Sequence, residues 1–382
     1  MKKHDIWKVL ILCLACMCFL SCDTTPNEEE PAETLTISFD LPEAPESIPS
    51  YYRTESMYLD TGTLLEYFFE GEDPIEAGED GYIQGETFYT LAEGSQEEHE
   101  KFLTNWNGGQ VRDLPGATNF YGGLTFYQAY VDGRKLPYST YSLLPLGRRI
   151  YPNELYATDI DLAFRPRAEV EEEVNAFMKS IGLTQAVLIE TRCLEAETMQ
   201  AYVEEQILQQ AKLEEENASN IDWDSRETLE PYTISPSEEA YLLYYAQEID
   251  GNIFCDFDTG LGIPIVGGYV LYGKSGILDV NLFRFADVTE TGEQASVISP
   301  QECLNEYIRE YNQNIEAAPV ELTMMGLYYV STDLNETVEK EYIPAWILEI
   351  RNESVDPYGD PYVDYQYRVW NALNGEGMTK MR

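Results

Sequence analysis

Two Asp-Thr-Gly tripeptides, Asp60-Thr61-Gly62 and Asp258-Thr259-Gly260, stand in opposite halves of the chain, each preceded by an apolar residue, Leu59 and Phe257. Two carboxylates close enough to share one proton can activate a water, because both cannot ionise side by side. A second group of oxygen donors, Asp256, Asp258, Asp356, Asp360 and Asp364, could ligate calcium. A third pattern, Gly268-Tyr-Val-Leu-Tyr-Gly273-Lys274-Ser275, literally satisfies the glycine-rich loop that cradles phosphates.

Each pattern has a plainer reading. The Asp-Thr-Gly pair resembles the signature of pepsin-like aspartic peptidases, which implies a two-lobed, all-β hydrolase using Asp60 and Asp258. Amphipathic stretches at 167–181 and 194–213 break such lobes, and Asp-Thr-Gly is ordinary turn composition in an acidic chain. The aspartates at 256–258 and 356–364 lack EF-hand spacing and read as solvated acidic loops. In the glycine-rich pattern the intervening residues are strand formers, and Gly276-Ile-Leu-Asp-Val-Asn-Leu-Phe continues as strand rather than helix, so a hairpin turn is expected and no nucleotide site. His99 is the only histidine after the leader, on the acidic stretch Gln96–Glu100, which leaves no histidine triad or multi-histidine metal site to build. No catalytic residue, cofactor or metal site is therefore assigned.

Cys22 is the residue with the clearest chemistry. Lys2, Lys3 and Lys8 precede the apolar run Val9–Leu20, which fits the roughly 7–15 apolar residues of a secretion signal. It falls short of the about 20 needed to span a bilayer. Phe19-Leu20-Ser21-Cys22 resembles the lipobox of bacterial lipoproteins, with Phe19 in place of the usual aliphatic residue. That resemblance implies acylation of Cys22 and a membrane anchor. Residues 22–35, beginning Asp23-Thr-Thr-Pro-Asn-Glu-Glu-Glu-Pro after the cysteine, are acidic and proline-broken and read as a disordered tether.

A formal charge of −45 repels nucleic acid and anionic polymers, so neither is an expected partner. Hydrophobic content of 44% with 29 tyrosines belongs to a folded chain long enough for two domains. Beyond the leader only Cys22, Cys193, Cys255 and Cys303 remain; with Cys22 acylated the odd remainder argues against a disulfide framework, and Cys303 is expected as a buried thiol on a helix face.

The elements that must position these residues fall into two parts. Residues 36–153 read as a strand-rich N-terminal domain, with Leu35–Leu41, Thr87–Leu91 and Leu124–Tyr130 as strand candidates. Residues 154–382 read as an α+β domain with an antiparallel sheet and a few packed helices. Tyr156–Phe164 is expected as a strand. Val170, Val174, Phe177 and Ile181 mark one helix, capped by Gly182; Met199, Val203, Ile207 and Ala211 mark a second. Ser299-Pro300-Gln301-Glu302 opens a third. Further strands are expected at Tyr241–Ile249, Ile253–Phe257, Tyr269–Tyr272, Ile277–Phe285, Val320–Val330, Tyr342–Ile350 and Tyr365–Ala372, the first two joined at Asp250-Gly251. The predicted fold class is thus α+β.

The order of these elements, with Ile298-Ser-Pro-Gln-Glu-Cys-Leu304, Ile343-Pro-Ala-Trp-Ile347 and the terminal Asn371-Ala-Leu-Asn-Gly-Glu376, resembles bacterial envelope modules of the PepSY and YycH/YycI kind over about 230–377. The whole is similar to uncharacterised clostridial-type lipoproteins. The resemblance implies a non-catalytic, regulatory or scaffolding protein that contacts an envelope protein partner. It would sit on the outer face of the cytoplasmic membrane, or in the periplasm or outer membrane of a Gram-negative envelope. A peptidase-like hydrolase, or a glycan- or calcium-binding surface module, is the alternative.

Overall fold

In the computed structural model, residues 34–57, 59–78, 83–90, 101–111, 123–128, 130–131, 134–135, 156–217, 233–255, 267–283, 285–313, 318–331, 340–355 and 361–378 are described. Strands β1 (Leu35–Ile37), β2 (Ile48–Pro49) and β3 (Tyr52–Ser56) lead to helix α1 (Thr61–Phe68). Then come β4 (Ile75–Gly78), β5 (Ile83–Thr90), β6 (Lys101–Val111), β7 (Gly123–Gln128), β8 (Tyr130–Val131) and β9 (Arg134–Lys135). Helix α2 (Arg167–Ser180), β10 (Ala186–Leu194) and helix α3 (Ala196–Asn217) are next. The rest is β11 (Ala240–Ile249), β12 (Asn252–Cys255), β13 (Gly268–Gly273), β14 (Gly276–Phe283), β15 (Ala286–Thr291), β16 (Gln294–Ala295), helix α4 (Pro300–Gln313), β17 (Val320–Ser331), β18 (Lys340–Val355) and β19 (Pro361–Asn371).

This arrangement overturns the expected α+β class. The molecule is strand-dominated, and its strands do not sort into a strand-rich first part and a separate antiparallel sheet. Among the described residues a 15-stranded sheet runs β15-β3-β18-β17-β12-β11-β13-β14-β7-β6-β5-β4, with β1, β10 and β19 branching from β17, β11 and β18. It is mixed: β1 and β12 both run parallel to β17, and the other pairs are antiparallel. The physical reason is edge pairing over long sequence distance. β7 covers the open edge of β14, and β3 fills the edge of β18 at Lys340–Tyr342. Local alternation shows that a segment is a strand but not which strand completes it.

Period-two alternation along β11 sets up two layers. Tyr241, Leu243 and Tyr245 point to a front core with α1 and α2, where Leu64, Phe68, Val170, Val174, Phe177 and Met178 are buried. Ala240, Leu242 and Tyr244 point to the back, against Met199, Tyr202 and Val203 of α3. Helix α4 buries Cys303, Leu304, Tyr307 and Ile308 against Trp346, Leu348 and Ile350 of β18. Trp346, fully buried, still satisfies its indole N–H by donating to the Ile298 carbonyl at 3.1 Å. Cys193, Cys255 and Cys303 are buried free thiols.

Several local expectations are realised. Gly182 ends α2 at φ 95°, a left-handed position that favours glycine. Asp250 and Gly251 join β11 to β12 with φ 53° and 79°, the primed turn of a tight hairpin. Ser299 Oγ accepts the Gln301 N–H at 3.2 Å at the start of α4. By contrast, Tyr156–Phe164 is not a strand. It is a bent segment with isolated bridges Ala157↔Cys193 and Leu162↔Arg165. Side chains there take over the backbone groups: Tyr241 Oη accepts the Leu162 N–H at 2.6 Å, and Asp161 accepts the Arg167 N–H at 2.8 Å.

Candidate functional site

Asp60 is built as a helix cap. It precedes α1 with extended backbone, and its Oδ2 accepts the Thr63 N–H and the Thr63 hydroxyl, each at 2.8 Å. Those two bonds hold its exposed carboxyl below the usual range. One of its two carboxylate oxygens is thus committed to the first turn of α1. Asp258, its proposed partner, lies outside the described residues.

The glycine-rich pattern forms a hairpin. β13 and β14 pair antiparallel from Gly268↔Leu282 to Gly273↔Gly276, and Gly276 takes φ 107° at the turn. The next element is a strand, so the backbone amides enter a ladder rather than a phosphate cradle. Gly268 has a packing role: a Cβ there would lie 2.3 Å from the Asn281 carbonyl oxygen.

The tip of that hairpin does line a cleft. A cavity of about 590 Å³ is bounded by Thr63, Glu66, Tyr67 and Glu70 on one side, by Glu173 and Ser180 of α2 on another, and by Lys101 and the Ser275–Ile277 turn. Thr63, Glu66, Tyr67 and Glu70 follow helical spacing, which brings them to one face of α1 and its end. Tyr67 is 40% exposed, yet its ring packs 4.5 Å from Phe177 and edge-on to Phe68 at 5.2 Å. Burial, and secondarily the Glu173 charge, raises its hydroxyl pKa.

The polar walls of the cleft are tied from behind. Arg165 donates to Glu173 at 2.5 Å and to Tyr272 Oη at 2.5 Å, and Tyr272 donates to the other Glu173 oxygen at 2.9 Å. Burial, then the hydrogen bond to Glu173, pushes the Tyr272 phenol up to about 12. Lys101 Nζ donates to Glu72 at 2.6 Å and to the Phe68 carbonyl at 3.1 Å. Ser180 Oγ donates to the Phe177 carbonyl at 2.8 Å.

A second feature lies on the back of the sheet, beyond the reach of α3. Ala246, Cys255, Val330, Ala345 and Ile347 are buried there under a layer of half-buried apolar side chains from β10, β12, β17 and β19: Val187, Ile189, Ile253, Met324, Tyr328, Tyr367 and Val369. Among the described residues this cluster contains no helix residue. Tyr328 lies flat along the strand, its hydroxyl 3.3 Å from Met324 Sδ. Within the same layer sits a carboxylate. Glu349, 1% exposed, accepts the Thr323 hydroxyl at 2.7 Å and the Tyr367 hydroxyl at 3.0 Å.

The remaining sequence candidates do not converge. Asp364 lies on β19 and accepts the Gln366 amide at 3.1 Å. Asp256, Asp356, Asp360, His99 and Cys22 lie outside the described residues. Among the described residues no group of three or more His, Cys, Asp or Glu side chains could hold a metal ion. Sequence reasoning missed the Arg165–Glu173–Tyr272 and Thr323–Glu349–Tyr367 networks. A signal for the second was present: Glu349 interrupts the apolar run Ala345–Ile350, and a charge in a core strand must find hydrogen bonds. Also missed was the capping box at Ser235–Glu238, where Glu238 accepts the Ser235 N–H at 2.7 Å.

Searches among protein-family models and among curated proteins find no match. Among solved structures the chain is similar to the crystal structure of an uncharacterized protein from Eubacterium rectale, with a TM-score of 0.56, 13% identity, and coverage of 91% of this chain and 92% of that one. At that identity the similarity is one of fold, and it extends over nearly the full length of both proteins.

Proposed function

We propose that this chain is an extracytoplasmic lipoprotein, tethered through Cys22, that acts without catalysis by contacting an envelope protein. The observation that carries the reading is the layer of half-buried apolar side chains on the back of β10, β12, β17 and β19, which no helix among the described residues covers. Contiguous apolar surface of this kind, spread over several strands, is characteristic of contact surfaces. The resemblance of about 230–377 to PepSY and YycH/YycI modules points the same way, since that segment supplies most of the layer. The lipobox-like Phe19–Cys22 supports the tether. Among the described residues no helix is long and apolar enough to cross a membrane.

The test is photo-crosslinking in native membranes with a reactive group at Tyr328, compared with one at Leu208, an exposed residue of α3. A defined adduct formed from position 328 and not from 208, and abolished by Val369→Asp, supports the reading. Adducts that form equally from both positions, or that survive Val369→Asp, overturn it. The anchor is tested apart from this. Cys22→Ser is expected to move the protein from the detergent phase to the aqueous phase, and retention in detergent would exclude acylation at that cysteine.

A further inference from the structure

Among the described residues three large apolar side chains are exposed, Ile37, Tyr67 and Leu208, and Tyr67 is the one aromatic ring of the three. It lines the cleft between α1, α2 and the β13–β14 turn. The cleft is on the front of the sheet, on the opposite side from the apolar layer, and its role is independent of the protein-contact reading.

The cleft has the make-up of a site already formed. Its volume of about 590 Å³ lies within the roughly 300–1,000 Å³ usual for small-ligand sites. Tyr67 is held by Phe177 and Phe68, so its ring offers a fixed surface. The polar groups around it are held as well: Glu173 by Arg165 and Tyr272, Lys101 by Glu72 and the Phe68 carbonyl, Ser180 by the Phe177 carbonyl. Groups locked by a second partner lose little freedom when a ligand arrives.

The lining also selects the ligand. Glu66, Glu70, Glu173 and the Ser180 hydroxyl oxygen, whose proton already goes to the Phe177 carbonyl, supply acceptors, while Ser275 and the remaining N–H of Lys101 supply donors, a mixture that suits a ring bearing many hydroxyls. An apolar ligand would strand these groups. An anionic one would meet three glutamates against Lys101, a cation already paired with Glu72. A metal ion would need its ligands clustered, and no such cluster exists among the described residues. The ring face of a sugar, with its C–H groups, packs on an aromatic side chain, and its hydroxyls answer the surrounding donors and acceptors.

We propose that the cleft binds a saccharide ring that is neutral or carries an amine, stacked on Tyr67 and hydrogen-bonded by Glu66, Glu70, Glu173 and Lys101. The probes are chitotriose, its de-acetylated glucosamine trimer, and trigalacturonate as the anionic control. Each is titrated into the full chain and followed by saturation-transfer NMR and calorimetry. Saturable binding of either of the first two, with trigalacturonate silent, is expected. Tyr67→Phe should keep affinity within about threefold, because the ring and not the hydroxyl carries the contact. Tyr67→Ala should weaken it at least about tenfold. Glu66→Gln/Glu70→Gln, which touches no core residue, should weaken the glucosamine trimer more than chitotriose, since only the former offers a charge. Absence of saturable binding by both trimers, equal binding of trigalacturonate, or affinity unchanged in a folded Tyr67→Ala variant would each overturn the proposal.

Discussion

The ring of Tyr328 lies across Gly326: a Cβ built on the glycine would fall 2.5 Å from Tyr328 Cε2 and 2.7 Å from its hydroxyl oxygen. The missing side chain is what lets the ring lie flat on the back of the sheet and reach Met324. Gly326→Ala should lift the ring off the strand. Because a half-buried ring can swing away, the cost in stability should stay within about 1 kcal/mol. The crosslink from the back face should nevertheless weaken. Urea midpoints and crosslink yields measured on the same preparation check both halves.

Tyr241 spans a turn that the sequence alone did not reveal. Its hydroxyl accepts from the Leu162 N–H and donates to the Arg165 carbonyl at 2.7 Å. Tyr241→Phe leaves a backbone donor and an acceptor unanswered beside a buried ring. A loss of about 1–3 kcal/mol is expected. A lower urea midpoint with an unchanged slope is the diagnostic; an unaltered midpoint would mean that the bent segment does not depend on this bridge.

Lys340 gives the stability a pH dependence of definite sign. Burial pushes its ammonium down to about 7, whereas an unfolded lysine titrates near 10.4. Between those values the unfolded chain binds more protons than the folded one, so this residue makes stability rise as pH climbs from about 7 to 10. Below about 7 it is charged in both states, and the cost of burying the charge is present in full. The difference in urea midpoint between wild type and Lys340→Met should therefore change between pH 7 and 9.5 in favour of the wild type. A difference independent of pH would contradict the assignment.

Asp60 separates a cap from a catalyst. Asp60→Ala should destabilise the first turn of α1, while Asp60→Asn, which can still accept from the Thr63 N–H, should recover most of the loss. Hydrogen exchange at Thr63 and Leu64 reads this directly. If Asp60→Asn behaves like Asp60→Ala, capping is not the role of this carboxylate.

What could be read in advance was local. The stripe Val170, Val174, Phe177 and Ile181, with Gly182 after it, specifies α2 through helical spacing and a single left-handed residue. Asp250-Gly251 and Ser299-Pro300 work within four residues of chain. The sheet was not legible for the same reason. Nothing near Thr54 says that it will sit between Val288 and Lys340, because those partners are set by which edges remain open after other strands have paired. The segment Tyr156–Phe164 misled because its residue types favour a strand, while Asp161 and Tyr241 supply hydrogen bonds that a strand could not use. The cleft was half visible. Thr63, which follows Asp60-Thr61-Gly62, and Ser275, which ends the glycine-rich pattern, both border the cavity where Tyr67 is exposed.

The pairing of β3 with β18 carries a consequence for how the molecule is made. A chain that emerges amino end first presents Tyr52–Ser56 long before Lys340–Tyr342 arrives to meet it. β7 must likewise wait for β14. Contacts this distant in sequence close slowly, and until they do the early strands travel with bare edges. The topology thus defers completion of the fold until nearly the whole chain has emerged.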